Sequence, residues 1–169
     1  MELLLCTIGF AGKSAEEFFR LLQEAQVEKL IDIRLNRGGQ LSGFAKYPDL
    51  AFFLQEVAGI GYAHEPQLAP ASDLLDSYRE TKDWAAYEVG FLALMKQRSI
   101  PQSLDAVAWP ARATLLCSEP GPEKCHRRLV ADLLAAYWRS QGHHVEIRHL
   151  VSARAKSAKP RRAKAKSVP

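Results

Sequence analysis

Five short apolar runs, spaced along the chain with helical punctuation between them, constrain this sequence more than any other feature. They are "LLLCTIGF" (3–10), "KLIDIRL" (29–35), "GYAHEP" (61–66), "ATLLCSE" (113–119) and "HHVEIRHL" (143–150). Runs of this length bounded by turn residues read as strands. The last alternates apolar and polar residues, as a half-exposed strand does. The intervening segments carry helical period. In "GKSAEEFFRLLQEA", Ser14 and Glu17 have capping-box spacing, and Phe18, Leu21, Leu22 and Ala25 fall on one face. "YPDLAFFLQEVAG" (47–59) starts with proline and acid and ends at glycine. A Pro/Ala/Ser/Asp stretch follows, in which no element is assigned. A helix then begins near Trp84, with Tyr87, Phe91, Leu94 and Met95 on one side, and the longest helix is expected from Pro122 to about Gln141. Strands alternating with helices predict an α/β domain, single and with a mainly parallel sheet flanked by helices.

Composition then locates the charge. The 169 residues are 47% hydrophobic and carry a formal net charge of +4. Seven of the 23 Lys/Arg (Arg154, Lys156, Lys159, Arg161, Arg162, Lys164 and Lys166) lie in the last 19 residues, which hold none of the 19 acids. Residues 1–150 therefore carry about −3, and the basicity belongs to the tail. Residues 151–169 have too few apolar groups to offset their ordering entropy, so the division expected is an α/β domain over 1–150 and a disordered basic tail. Such a tail could neutralise nucleic-acid phosphates without reading sequence, or could simply be a solvated extension. No run approaches the roughly 20 apolar residues that a membrane helix needs. The start has no basic leader, and three cysteines are too few and too odd for a disulfide framework, so a cytoplasmic protein without a membrane is expected.

The chemistry concentrates in "LLCSEPGPEKCHRRLVADLL" (115–134). With Pro122 as the first helical residue, Cys125 aligns with Leu129 and Leu133, and His126 with Val130 and Leu134. Both then border the stripe that packs on the sheet. A thiol there lies close to the positive helix end, which favours thiolate and anions. The other reading makes Cys125 a small core residue. "DIR" poses a parallel choice. Asp32 and Arg34 either form an internal salt bridge or place Arg34 in a ligand crevice at the strand's carboxyl end. The ends carrying Thr7 and Gly9, Arg34 and Glu119 share one edge of a parallel sheet, where open α/β sheets bind ligands. The expected site is a small-anion pocket of phosphate or carboxylate type at that edge. Thr7, Gly9, Arg34 and Arg127 would bind the anion, and Cys125 would be the nucleophile or redox-responsive thiol. Glu119 or His126 would carry protons, and Asp32 and Cys117 would support them. The protein would then be a cysteine-dependent enzyme or a thiol sensor. The alternative is a nucleic-acid-associated accessory domain acting through its tail.

These blocks resemble one known family. "CTIGFAGKSAEEF", "LIDIR", "GFAKYPDL…L…GIGYAHEPQL" and above all the Cys-x-Glu…Cys-His-Arg block look like the domain-of-unknown-function family 488, over about residues 3–150. The resemblance implies an α/β fold with these blocks at one sheet edge and brings no established activity. It carries over Thr7, Gly9, Asp32, Arg34, Cys117, Glu119, Cys125, His126 and Arg127. Similar proteins usually have proline and serine soon after Asp-x-Arg, where this chain reads "LNRGGQLSG". They have Leu-Gly-Gly after the Tyr-x-His strand, where this one reads "QLAPAS".

Other patterns point away from familiar sites. "GFAGKS" (9–14) lacks the glycine that a phosphate loop needs at position 7, which is Thr, and Lys13 is expected to be solvated. Cys117, Glu119, Cys125 and His126 are metal-ligand types, but the cysteine gap is not a zinc-finger spacing, so no metal and no cofactor are expected. His143, His144 and His149 read as solvated.

Overall fold

The computed structural model describes residues 1–38 and 42–152. The basic tail from Arg154 to Lys166, and with it the nucleic-acid expectation, lies outside the described residues. Strands β1 (Glu2–Gly9), β2 (Lys29–Asp32), β3 (Gly61–His64), β4 (Arg112–Cys117) and β5 (His144–Leu150) form one sheet. Its order is β3-β2-β4-β1-β5 and every pairing is parallel. The anticipated α/β architecture is therefore present, a five-stranded parallel sheet flanked by helices.

Helix α1 (Ala15–Glu24) starts where the capping spacing places it, with the Ser14 hydroxyl accepting from the Glu17 amide. With α2 (Asp49–Phe52), which continues as a π-helical turn over Phe53–Val57, it covers one face of the sheet. Phe18, Leu22, Leu50 and Leu54 pack there on Cys6, Ile8, Leu30 and Leu116. The opposite face carries α3 (Ser72–Thr81), α4 (Trp84–Gln97) and α5 (His126–Ser140). Its core joins Tyr87, Phe91 and Met95 to Leu129, Val130, Leu134 and Trp138 over Leu5, Ile31 and Leu115. Successive strand residues supply opposite layers, as the period-2 pleat requires.

Three features depart from the sequence reading. Helix α3 occupies the stretch left unassigned. None of its residues is fully buried, and its apolar stripe is short, made by the partly buried Leu74, Leu75 and Tyr78. Helix α5 begins at His126 and not at Pro122. Pro120, Gly121 and Pro122 lie in a bent loop, and Cys125 is the N-cap in extended conformation (φ −144°, ψ 135°). Cys125 thus precedes the helix rather than sitting on its stripe. Finally, Lys13 is only 7% exposed, and His149 is half-buried and bonded to the Thr7 hydroxyl at 2.8 Å rather than solvated. Burial, and then the nearby Arg127 charge, pull the Lys13 pKa down.

Candidate functional site

The carboxyl ends of β1, β2 and β4 all come to one edge of the sheet, with Gly9 opposite Cys117 in register and Asp32 opposite Leu116. A cavity of about 570 Å³ opens there. That volume lies within the range of small-molecule sites. Its floor is Cys117, at the last position of β4, with Cys125 and His126 from the start of α5. One wall is Phe10 and Arg34. The other is built by α3 and the first turn of α4, through Leu75, Tyr78, Trp84 and Tyr87.

At the floor, one Sγ from each cysteine and a ring nitrogen of His126 all lie within 4.8 Å of one another, and all three residues are buried. The His126 Nε2 is 3.0 Å from the Ile33 carbonyl. A carbonyl only accepts, so Nε2 carries the proton, and in the neutral ring Nδ1 turns a lone pair toward the Cys117 Sγ at 3.5 Å. Phe91 packs against the imidazole and holds its plane, with ring centroids 5.6 Å apart.

Electrostatics separate the two thiols. A hydrogen bond from Cys125 holds the Cys117 pKa well below the usual thiol range, against the opposing effect of burial, and His126 adds to the lowering. Burial pushes Cys125 well up, and its bond to Cys117 adds to that. On His126 burial opposes charge, but the Cys117 thiolate outweighs it and the pKa rises. The two thiols are therefore unequal, with Cys117 the more readily ionised.

The arginines expected to clamp an anion are largely engaged by the protein. Arg34 lines the cavity, yet its Nε and Nη2 donate to the two Asp32 oxygens at 2.8 and 2.7 Å, and its Nη1 donates to the Ala45 carbonyl. Asp32 also accepts from the Tyr62 hydroxyl at 2.9 Å. Arg34 thus forms the internal salt bridge and also lines the cavity. Arg127 is fully buried and outside the cavity lining, as are Thr7 and Gly9. Its guanidinium donates to the Glu119 and Pro120 carbonyls and to the Cys125 Sγ at 3.4 Å. It meets no carboxylate among the described residues, and its Nε has no partner. A buried cation needs compensation, and the Cys125 sulfur is among the groups that Arg127 meets. Glu119 itself lines the cavity.

Sequence reasoning missed the α3 wall. Arg79 lines the cavity but pairs with Asp76 at 2.7 Å. Lys82, which caps α3 in left-handed conformation (φ 56°), and Lys124 line it with no ion-pair partner among the described residues. The helical spacing of Tyr78 from Leu74 and Leu75, four and three residues back, was the available signal.

Fold and site together define a parallel α/β protein with a ligand-sized cavity at the carboxyl edge of its sheet, floored by two thiols and an imidazole. Within that class, the chain belongs to the family described as "Domain of unknown function DUF488", whose family model matches residues 14–134. The match stops short of β1 and β5, which complete the sheet, so it is narrower than the motif resemblance. No curated protein and no solved structure matches the chain. No helix among the described residues is long and apolar enough to cross a membrane.

Proposed function

We propose that the cavity binds a small molecule bearing a phosphate- or carboxylate-type group, and that its cysteine–histidine floor reacts with that molecule or senses it. The observation that carries this reading is the convergence of Cys117, Cys125 and His126 at the base of a ligand-sized cavity. Lys82 and Lys124 supply positive charge at its walls. Phe10, Tyr78, Trp84 and Tyr87 offer apolar faces for the rest of the ligand.

The geometry supports a division of roles that differs from the sequence expectation. His126 faces Cys117 rather than Cys125. Cys117 is then the better candidate for the reacting thiol, with His126 as its proton partner and Cys125 as a hydrogen-bond donor to it. Arg127 acts by fixing the Glu119–Pro120 loop, and Thr7 and Gly9 act through packing. Glu119 remains within reach of a bound ligand as a second proton carrier. Three free thiols suit a reducing cytoplasm.

Native-state alkylation tests the reading. In chelator-containing buffer, iodoacetamide should modify Cys117 and Cys125 through the cavity while sparing Cys6, which is fully buried in the opposite layer. Inorganic phosphate should slow the first two, and Lys82→Glu with Lys124→Glu should abolish that protection. Labelling no faster than that of Cys6, or indifference to phosphate, would sink the proposal.

A further inference from the structure

The cavity floor gathers two thiols and one imidazole into a single cluster. The geometry points to Cys117, Cys125 and His126 as three ligands of a thiophilic divalent cation, zinc by chemistry, whose fourth position faces the cavity. The inference deepens the anion-pocket reading and rests on it for one point only: the group that fills the fourth position is the ligand's anion.

Four observations meet here. First, the donor set of two thiolates and one imidazole is among those that hold catalytic zinc, and two thiolates balance the two charges of the cation. Second, the separations fit. Ligand bonds of about 2.3 Å to sulfur and 2.0–2.1 Å to nitrogen at tetrahedral angles put neighbouring ligand atoms roughly 3.5 Å apart. The Cys117 Sγ and His126 Nδ1 are 3.5 Å apart, and the whole set falls within 4.8 Å. Third, the outer contacts are those a metal-bound histidine and thiolate require. Nε2 donates to the Ile33 carbonyl, which fixes the tautomer and aims the Nδ1 lone pair inward, while Arg127 donates to the Cys125 sulfur. The buried Arg127, which meets no carboxylate among the described residues, thereby gains a use as an outer donor to a metal-bound sulfur. Fourth, no further histidine, cysteine or carboxylate joins the cluster among the described residues, and all three ligands line the cavity. A water or a ligand oxygen must complete the shell. Three protein ligands with an open fourth position distinguish a reactive centre from a structural one.

This also explains why sequence spacing missed it. Structural zinc motifs take ligands in close pairs, whereas Cys117 ends a strand and Cys125–His126 open the next helix. Only the bent loop over residues 118–124 brings them together.

The test is a titration of the full-length, metal-free protein with Co²⁺ as an optical probe, followed by Zn²⁺. One equivalent of Co²⁺ should produce a sulfur-to-cobalt charge-transfer band and the intense visible bands of tetrahedral cobalt, and one equivalent of Zn²⁺ should bleach both. Cys117→Ser, Cys125→Ser and His126→Gln should each weaken Co²⁺ affinity by more than the roughly 10–100-fold that loss of an outer-shell partner costs, while Cys6→Ser should leave the spectrum unchanged. In unsubstituted protein, one equivalent of Zn²⁺ should protect Cys117 and Cys125 from iodoacetamide together, a readout that needs no variant to fold. Absence of the charge-transfer band at stoichiometric cobalt, or zinc that leaves both thiols open to alkylation, would overturn the metal centre. Inorganic phosphate should then shift the visible cobalt bands. If the bands form but ignore phosphate, the metal centre stands and the anion reading falls. If phosphate protects the metal-free thiols but cobalt does not bind, the reverse holds.

Discussion

Gly9→Ala is the substitution whose outcome the structure specifies most tightly. Gly9 ends β1 opposite Cys117, and an ideal Cβ there would lie 1.6 Å from the Glu119 carbonyl oxygen and 2.8 Å from the Arg127 Nη1. Since Cβ contacts under 3.0 Å essentially never occur, the Glu119 carbonyl would have to retreat by roughly 1.4 Å. That oxygen is backbone, and it is the acceptor that holds the buried Arg127. Its retreat would also strain the neighbouring Ala11 amide to Ser118 carbonyl bond, now 3.1 Å. Overpacking costs about 1–3 kcal/mol, and a weakened hydrogen bond to a buried charged group adds about 1.5–3 kcal/mol. The expected loss is therefore on the order of 4 kcal/mol, or about 10 °C in Tm for a chain of this size. Gly12→Ala is the control. Its φ is +74° and a Cβ there meets nothing within 4 Å, so only backbone strain of about 1 kcal/mol is expected. Calorimetry and urea unfolding of both variants decide the matter. A Gly9→Ala protein that melts within about 3 °C of the parent, or no lower than Gly12→Ala, would refute the close approach of β1 to the Glu119 loop.

Two further perturbations test other parts of the same edge. Asp32→Asn removes the charge that balances Arg34, which is 5% exposed, and turns an amide toward donors from Arg34 and Tyr62. Urea unfolding should show a loss of about 3–5 kcal/mol, and a loss under about 1 kcal/mol would mean that the pair is not what holds Arg34. Alkaline pH probes the opposite layer, where burial pushes the Cys6 thiol up to about 11 from 9.0. The unfolded chain releases this proton first, so the stabilisation is complete below pH 9 and is lost as pH rises through 11. The loss is limited to about 2–3 kcal/mol. Stability measured from pH 8 to 11 should fall less steeply in Cys6→Ala than in the parent, although Tyr62, raised by burial to about 12, steepens both curves over the same range. Equal slopes would show that Cys6 does not titrate as its burial demands.

Strand and helix identity was largely written in local pattern. Apolar runs such as "LLLCTIGF" can satisfy their backbone and bury their side chains only as strands between helices, and Ser14 with Glu17 marks the start of α1 because capping is a local hydrogen bond. Parallel pairing also follows, since each strand is separated from the next by chain enough for a crossover. With it comes the gathering of Gly9, Asp32, Arg34, Cys117 and Glu119 near one edge. Strand order β3-β2-β4-β1-β5 does not follow, because it depends on which faces pack best across the whole sheet. Helix α3 escaped for a related reason: it is held by Tyr78 against Trp84 and Tyr87, contacts that exist only once α4 is in place.

The sequence by itself determined the parallel α/β layering and the approximate address of its chemistry, because hydrophobic period and helix capping act between residues close in the chain. Tertiary structure alone decided which groups meet. It turned His126 toward Cys117, satisfied Arg34 with Asp32, enclosed Arg127 behind the cavity and raised α3 as its far wall. Those outcomes depend on distances of a few ångströms between residues remote in sequence, which only the packed fold sets.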